Sequence, residues 1–179
     1  MRRAGMLLLA MLGLGALAAP AAAQRSRVVI VVPGKLTREV SDTMGRPYEV
    51  PYPVSRAYEA LREVYAELKL PREVEDSAGA QVATQMFYRQ GSLAGRQLSS
   101  FLHCGEAITG PIADTYRIYL NIWSTLVPQG RSDAVLRTVV FAGAVNVSEG
   151  SRQPLPCESR GRLELRIHQL LLQKLVLGK

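Results

Sequence analysis

The most constraining feature of the sequence is a long alternation of apolar and more polar residues over positions 115–126. One set of alternate positions holds Tyr116, Ile118, Leu120, Ile122 and Leu126. The intervening positions hold Arg117, Tyr119, Asn121, Trp123 and Thr125. Strand side chains alternate between two faces, so this segment predicts a strand with one buried face. A second apolar segment, 135–147, follows the turn Pro128-Gln129-Gly130, and the pair predicts a hairpin of long antiparallel strands.

A helical period appears before this hairpin, over positions 54–70. Prolines 53 and 71 bound the segment, and its apolar residues recur at the spacing of one helix face. They are Val54, Tyr58, Leu61, Val64, Tyr65 and Leu68. The opposite side is charged, so we expect an amphipathic helix with one buried face.

The C-terminal segment predicts a longer helix, which begins at about Arg160 with Ser159 as its N-cap. Its main apolar face is made of Leu163, Ile167, Leu170, Leu171 and Leu177. A second stripe lies almost opposite and holds Leu165, Leu172 and Val176. A helix that is apolar nearly all round is either enclosed in the core or keeps a face for a partner, and both alternatives stay open here.

Shorter segments complete the predicted sheet. Residues 28–32 read as a strand, and residues 33–53 as an irregular connection rich in proline, glycine and charge. Further strands are predicted at 73–76, 81–89 and 97–103. The predicted fold is α+β: an antiparallel sheet of four to six strands packed with an amphipathic helix and a long C-terminal helix. The predicted divisions are a signal peptide at 1–23, an N-terminal strand and irregular segment at 24–53, and the α+β domain at 54–179.

The N-terminus has the pattern of a cleavable secretory signal peptide. Two arginines follow Met1, an apolar run extends over 4–19, and Ala21-Ala22-Ala23 offers the small residues that signal peptidase requires. The alternative, an uncleaved anchor, is disfavoured because a spanning helix needs about 20 apolar residues. No later segment is apolar enough to span a membrane. The chain is therefore expected to be exported, to the periplasm or the extracellular space.

Charge and cysteine content limit which partners and which covalent crosslinks are expected. Loss of Arg2 and Arg3 with the signal peptide lowers the formal charge from +7 to +5. The basic residues are scattered, which is typical of a solvated surface or of a preference for anionic envelope components such as lipid head groups or cell-wall polymers. Nucleic acid is excluded as a partner, since aromatic residues are few and no binding motif occurs. In an oxidising compartment, the only two cysteines, Cys104 and Cys157, predict a structural disulfide rather than reactive thiols.

Catalytic and cofactor signatures do not occur in the sequence. Hydrolase elbows, phosphate loops, dinucleotide-binding glycines and zinc spacings are absent, so neither an enzyme nor a cofactor is predicted. A metal site built from His103, Cys104, Glu106 and His168 matches no ligand spacing. Asp114 is interpreted as a turn cap rather than as an acid or base. Trp123 either packs beneath a neighbouring strand or forms a shallow binding platform with Tyr119 and Arg117.

Two local patterns resemble known proteins. The order of helix, antiparallel strands and long C-terminal helix, with Asp76-x-x-Gly79 after the first helix, resembles the helix-grip domains of the C subunit of the bacterial outer-membrane barrel assembly machinery. The patterns Cys104-Gly105 and Cys157-x-Ser159-x-Gly161-x-Leu163-Glu164 resemble exported bacterial proteins of no known function. The resemblance covers residues 54–177 and implies an architecture and a compartment, but no site. The lipid-anchoring cysteine of the assembly subunit is absent.

These patterns lead to a functional hypothesis of binding rather than catalysis. We expect a non-enzymatic exported protein of the cell envelope that binds or scaffolds an envelope protein or an anionic envelope component. The candidate partner surface comprises Trp123, Tyr119, Arg117, Leu165 and Leu172. The alternative is a carrier that holds a small apolar ligand between the sheet and the C-terminal helix.

Overall fold

The computed structural model describes residues 27–32, 35–41, 43–147 and 154–178, with side chains from residue 41 onward, so the predicted signal peptide lies outside the described residues. The strands, in chain order, are β1 (Arg27–Val32), β2 (Lys35–Ser41), β3 (Pro47–Val50), β4 (Val74–Asp76), β5 (Gln81–Ala83), β6 (Phe87–Gln90), β7 (Ser92–Leu93), β8 (Arg96–Gln97), β9 (Leu102–His103), β10 (Glu106–Ala107), β11 (Gly110–Pro111), β12 (Arg117–Gln129), β13 (Asp133–Val145) and β14 (Leu155–Ser159). The helices are α1 (Val54–Glu67), α2 (Ile112–Thr115) and α3 (Arg162–Leu177).

The main sheet is built around the hairpin of β12 and β13, which pair along their whole length from Arg117 opposite Val145 to Gln129 opposite Asp133. The outer edge of β12 carries β5, with β4 beyond it, and β6. The outer edge of β13 carries β3 and β14, with β9 beyond β14. All these pairings are antiparallel, so the predicted α+β class is confirmed, with eight strands in the sheet.

One face of the sheet forms the main core with α1 and α3. The apolar positions of β12 are buried there as the alternation predicts, and so are Tyr58, Leu61, Val64 and Tyr65 of α1. The Tyr65 hydroxyl donates a hydrogen bond to Ser124 Oγ (2.8 Å), and Ser124 Oγ is 2.8 Å from Thr138 Oγ1. Burial raises the pKa of Tyr65, so this hydroxyl remains a donor that links α1 to both strands of the hairpin.

Helix α3 packs on the sheet through Leu163, Ile167, Leu170 and Leu171, as predicted. Its expected fifth apolar contact, Leu177, is exposed because it is the last residue of the helix, and Leu175 is buried instead. The helix begins at Arg162 rather than near Arg160. Ser159 still belongs to β14, and Gly161 occupies the N-cap with φ 72°, a left-handed conformation that glycine adopts without steric cost.

Three predicted segments differ from the structure. The segment at 33–53, expected to be an irregular connection, contains β2 and β3. β3 pairs with the edge of β13 and so belongs to the main sheet, where its Tyr48 and Val50 face inward. The predicted strand at 81–89 is interrupted between β5 and β6. The predicted strand at 97–103 contains a 3-10 turn, whose Ser99 N–H donates to Asp114 Oδ1 (2.8 Å), so this backbone donor is taken by a side chain and not by a neighbouring strand.

The predicted disulfide is present between Cys104 and Cys157, at a sequence separation of 53. Cys104 follows β9 and Cys157 lies in β14, which pairs with β9 and with β13. The crosslink therefore fastens the outer part of the sheet beside the start of α3. No helix among the described residues is long and apolar enough to cross a membrane.

Candidate functional site

The five residues predicted as a partner surface do not form one continuous surface. Trp123 is only 5% exposed and packs with Ala83 and Phe141 in a small second core on the outer face of the sheet. Its indole N–H donates to Thr125 Oγ1 (3.2 Å). Of the two interpretations of this residue, the structure shows the packed one, and the ring is not available as a binding platform.

Arg117 and Tyr119 lie farther along the same face and meet a residue that the sequence did not single out. The Arg117 guanidinium stacks over the ring of Tyr88 at 4.9 Å, and the Tyr88 and Tyr119 ring centroids are 6.3 Å apart. Tyr88 is the most exposed of the three. The three side chains form a small surface patch apart from buried Trp123.

The second stripe of α3 divides between core and surface. Leu172 is half-buried and packs against the main core. Leu165 is 42% exposed, and Val176, three turns farther along, is also exposed. Leu165 lies in a cleft of about 470 Å³.

This cleft lies at the outer edge of β13, where two neighbouring strands leave a gap. β3 pairs with β13 as far as Arg137, and β14 pairs with it from Ala142. Between these positions, no strand among the described residues pairs with the outer edge of β13. We call the cleft the edge notch. It is lined by the segment that leads into β3 (45, 46 and 48), by β13 (138–140) and by the segment that leads into α3 and forms its first turn (159–162, 164 and 165).

The strand ladder directs the backbone of Val140 into the edge notch. Its opposite residue, Ile122, accepts a hydrogen bond from Thr84 N–H and donates one to Thr84 Oγ1, both at 2.9 Å, on the far side of β12. In an antiparallel ladder, residues alternate between hydrogen-bonded and non-hydrogen-bonded pairs. Ile122 and Val140 therefore form a non-hydrogen-bonded pair, and the N–H and C=O of Val140 point away from β12.

Glycine at position 45 allows the chain to approach the notch closely. Gly45 has φ +83°, and a Cβ atom there would lie 2.6 Å from the carbonyl oxygen of Thr138. Glycine is the residue that tolerates both constraints. The close approach places Arg46 and Tyr48 at one end of the notch, where the ring of Tyr48 stacks on His168 of α3 at 4.9 Å.

Three exposed arginines and one buried glutamate set the electrostatics of the edge notch. Arg46, Arg160 and Arg162 all line it and are exposed, and Arg162 is the first residue of α3. Arg46 lies 5.7 Å from the centre of the Tyr48 ring, and Arg160 Nε donates to the Leu102 carbonyl (3.3 Å). These groups give the notch a net positive charge, which favours anionic ligands.

Glu164 is the buried charged residue of the notch, with 8% exposure. Its Oε1 accepts a hydrogen bond of 2.6 Å from the Ser159 hydroxyl. Its Oε2 is buried and has no hydrogen-bond partner among the described residues. A buried carboxylate oxygen without a donor is costly, so Glu164 leaves one unsatisfied acceptor at the edge notch.

The other candidate residues from the sequence do not come together as a site among the described residues. Among the residues that the structure describes, no group of three His, Cys, Asp or Glu side chains could hold a metal ion. Asp114 caps the 3-10 turn through Ser99, as expected of a turn residue. Under the C-terminal helix, Leu163, Ile167 and Leu170 pack into the continuous main core. The apolar carrier stays a prediction, without an observation in its favour.

No family model and no curated protein matches this chain. The resemblance to helix-grip domains therefore remains a resemblance, and function has to be argued from the geometry of the edge notch.

Proposed function

We propose that this chain is an exported, non-enzymatic binding protein of the cell envelope that holds an anionic envelope component, or an acidic segment of an envelope protein, in the edge notch. The observation that carries the proposal is that Arg46, Arg160 and Arg162 line the same cleft as Val140, whose backbone groups point into it. The cationic rim attracts an anion, and the strand edge offers one donor and one acceptor to orient it.

Two features support the export part of the proposal. The first 23 residues have the n-region, apolar run and small-residue cleavage site of a signal peptide. The Cys104–Cys157 disulfide is stable in oxidising compartments and uncommon in reducing ones. Both features agree with a protein that functions outside the cytoplasm.

Site-specific photo-crosslinking in the exporting cells tests the proposed binding surface. A photoreactive amino acid replaces Leu165, which lies in the edge notch, or Val176, which is exposed on the same helix outside it. We expect the Leu165 position to give a discrete covalent adduct, which mass spectrometry identifies as an anionic envelope component or an acidic segment. The Val176 position serves as the matched control and should give no such adduct.

A double arginine variant makes the crosslinking result decisive. Replacement of Arg46 and Arg162 by glutamine should reduce the yield of the Leu165 adduct at least tenfold, since two charge-assisted contacts are lost. An adduct of equal yield from Val176, or an unchanged yield after the arginine substitutions, would refute the notch as the binding surface.

A further inference from the structure

We infer that the ligand of the edge notch is a small zwitterion, namely a free peptide end or an amino-acid-like molecule that presents an ammonium group to Glu164 and a carboxylate to the rim arginines. This inference rests on the proposed function, because it specifies the ligand chemistry of the same site. Four properties of the notch support it: its length, its backbone groups, its buried carboxylate and its cations.

The length of the notch favours a chain end over a continuous strand. Four residues of β13, at positions 138–141, separate the last partner of β3 from the first partner of β14. Gly45 approaches Thr138 closely, so the part of this edge without a paired strand among the described residues extends over about three residue steps, from Val139 to Ala142. At about 3.4 Å per residue, this is a stretch of roughly 10 Å. β3 and β14 close it at both ends, so a strand cannot pair through it, whereas one or two residues of ligand fit.

The backbone groups of Val140 match those of a single amino-acid residue. Its N–H and C=O point into the gap from the same residue, as the ladder alternation requires. A single residue of a ligand can accept from this N–H with its carbonyl oxygen and donate to this C=O with its own amide or ammonium N–H, which is the recognition used in strand addition. A ligand with an amide or amino-acid skeleton therefore pairs with the floor of the notch.

The buried carboxylate of Glu164 can bind a cationic hydrogen-bond donor of the ligand. Its Oε1 is already engaged by Ser159, and Oε2 lacks a donor among the described residues. An ammonium group supplies both the hydrogen bond and the opposite charge. Because Oε2 is shielded from solvent, a ligand reaches it when exposed rim side chains change rotamer, a common adjustment on binding.

The three arginines supply the complementary half of the recognition. Their guanidinium groups bind carboxylates with paired N–H donors. Arg162 is two residues from Glu164 at the start of α3, where the free backbone N–H groups of the helix also favour negative charge. An ammonium at Glu164 and a carboxylate near Arg162 define the two ends of a small zwitterion.

Nuclear magnetic resonance with a defined probe tests this inference. The probe is the dipeptide Ala-Asp, titrated into the exported protein with its disulfide intact while the amide signals of Val140 and Gly161 are followed. The comparison ligand is N-acetyl-Ala-Asp, which keeps both carboxylates and lacks the ammonium. We expect Ala-Asp to shift both amide signals and to bind about tenfold or more tightly than the acetylated form, the effect of one hydrogen bond to a charged group.

Matched variants assign the effect to the two ends of the ligand. Glu164→Gln should remove the preference for the free ammonium, so that both dipeptides bind equally. Arg162→Gln should weaken Ala-Asp binding about tenfold, whereas Arg166→Gln, one turn farther and outside the notch, should change it less than twofold. The wild-type comparison of the two dipeptides needs no variant, so a folding defect in Glu164→Gln leaves the test intact.

The outcomes separate the inference from the proposed function. Equal binding of both dipeptides to the wild-type protein would overturn the zwitterion inference and leave an anion-binding notch. Absence of shifts at Val140 and Gly161 would also overturn it, while the Leu165 crosslink continues to test the notch independently.

Discussion

Removal of the Cys104–Cys157 disulfide is expected to lower the free energy of unfolding by about 2–5 kcal/mol. The crosslink spans a sequence separation of 53, and in the chain-entropy model a loop of this length contributes roughly 4 kcal/mol. It also fastens β14 beside the segment that opens α3 and lines the edge notch. Urea denaturation of the wild-type protein and of the double variant Cys104→Ser/Cys157→Ser measures the difference.

The chemically reduced wild-type protein is the control for this comparison. Its unfolding midpoint should match that of the double variant, since both lack the crosslink and keep side chains of similar size. Identical midpoints for the oxidised and reduced wild-type protein would show that the disulfide does not stabilise the fold. Mass analysis without reductant confirms the oxidation state of each sample.

A cavity beneath α3 is the second large perturbation. Ile167→Ala is expected to lower the free energy of unfolding by about 2–5 kcal/mol, because Ile167 is 0% exposed and the shortened side chain leaves a void in the main core. Leu165→Ala, on the same helix, should change it by no more than about 0.5 kcal/mol, since Leu165 faces the notch and solvent. Thermal and urea denaturation of both variants give the two values.

This pair of variants separates the two stripes of the C-terminal helix. A large loss for Leu165→Ala would mean that the second stripe is part of the monomer core and not a surface for a partner. A small loss for Ile167→Ala would indicate a loosely filled space under α3, which is the property that an apolar carrier requires.

The main elements of the fold were accessible from residue patterns because each pattern reflects burial. The period of two in β12 and the helical period in α1 follow directly from which side chains face the core. The disulfide followed from cysteine number and compartment. β3 was missed, because its four residues form a strand only through pairing with β13, a contact that local sequence does not encode.

Most of the candidate site could not be predicted from the sequence, because it too depends on contacts between distant segments. The edge notch exists because β3 and β14 pair with different parts of β13, which brings Arg46 beside Arg162 across more than a hundred residues of chain. Leu165 was recognised as part of a second apolar stripe, but its neighbours were not. Glu164 carried one usable signal: it lies three residues before buried Ile167, so a carboxylate falls on the inward side of the helix.

The amide hydrogen-exchange rate of Val140 reports whether the edge of β13 at the notch lacks a paired strand. Leu136 and Ala142 pair with β3 and β14 on the same edge, and their amides should exchange slowly. We predict that Val140, between them on the same strand, exchanges at least tenfold faster in the free protein and becomes protected when the notch is occupied. Protection of Val140 equal to that of Leu136 and Ala142 in the free protein would show that the Val140 amide is already hydrogen-bonded, and that the notch is not an open strand edge.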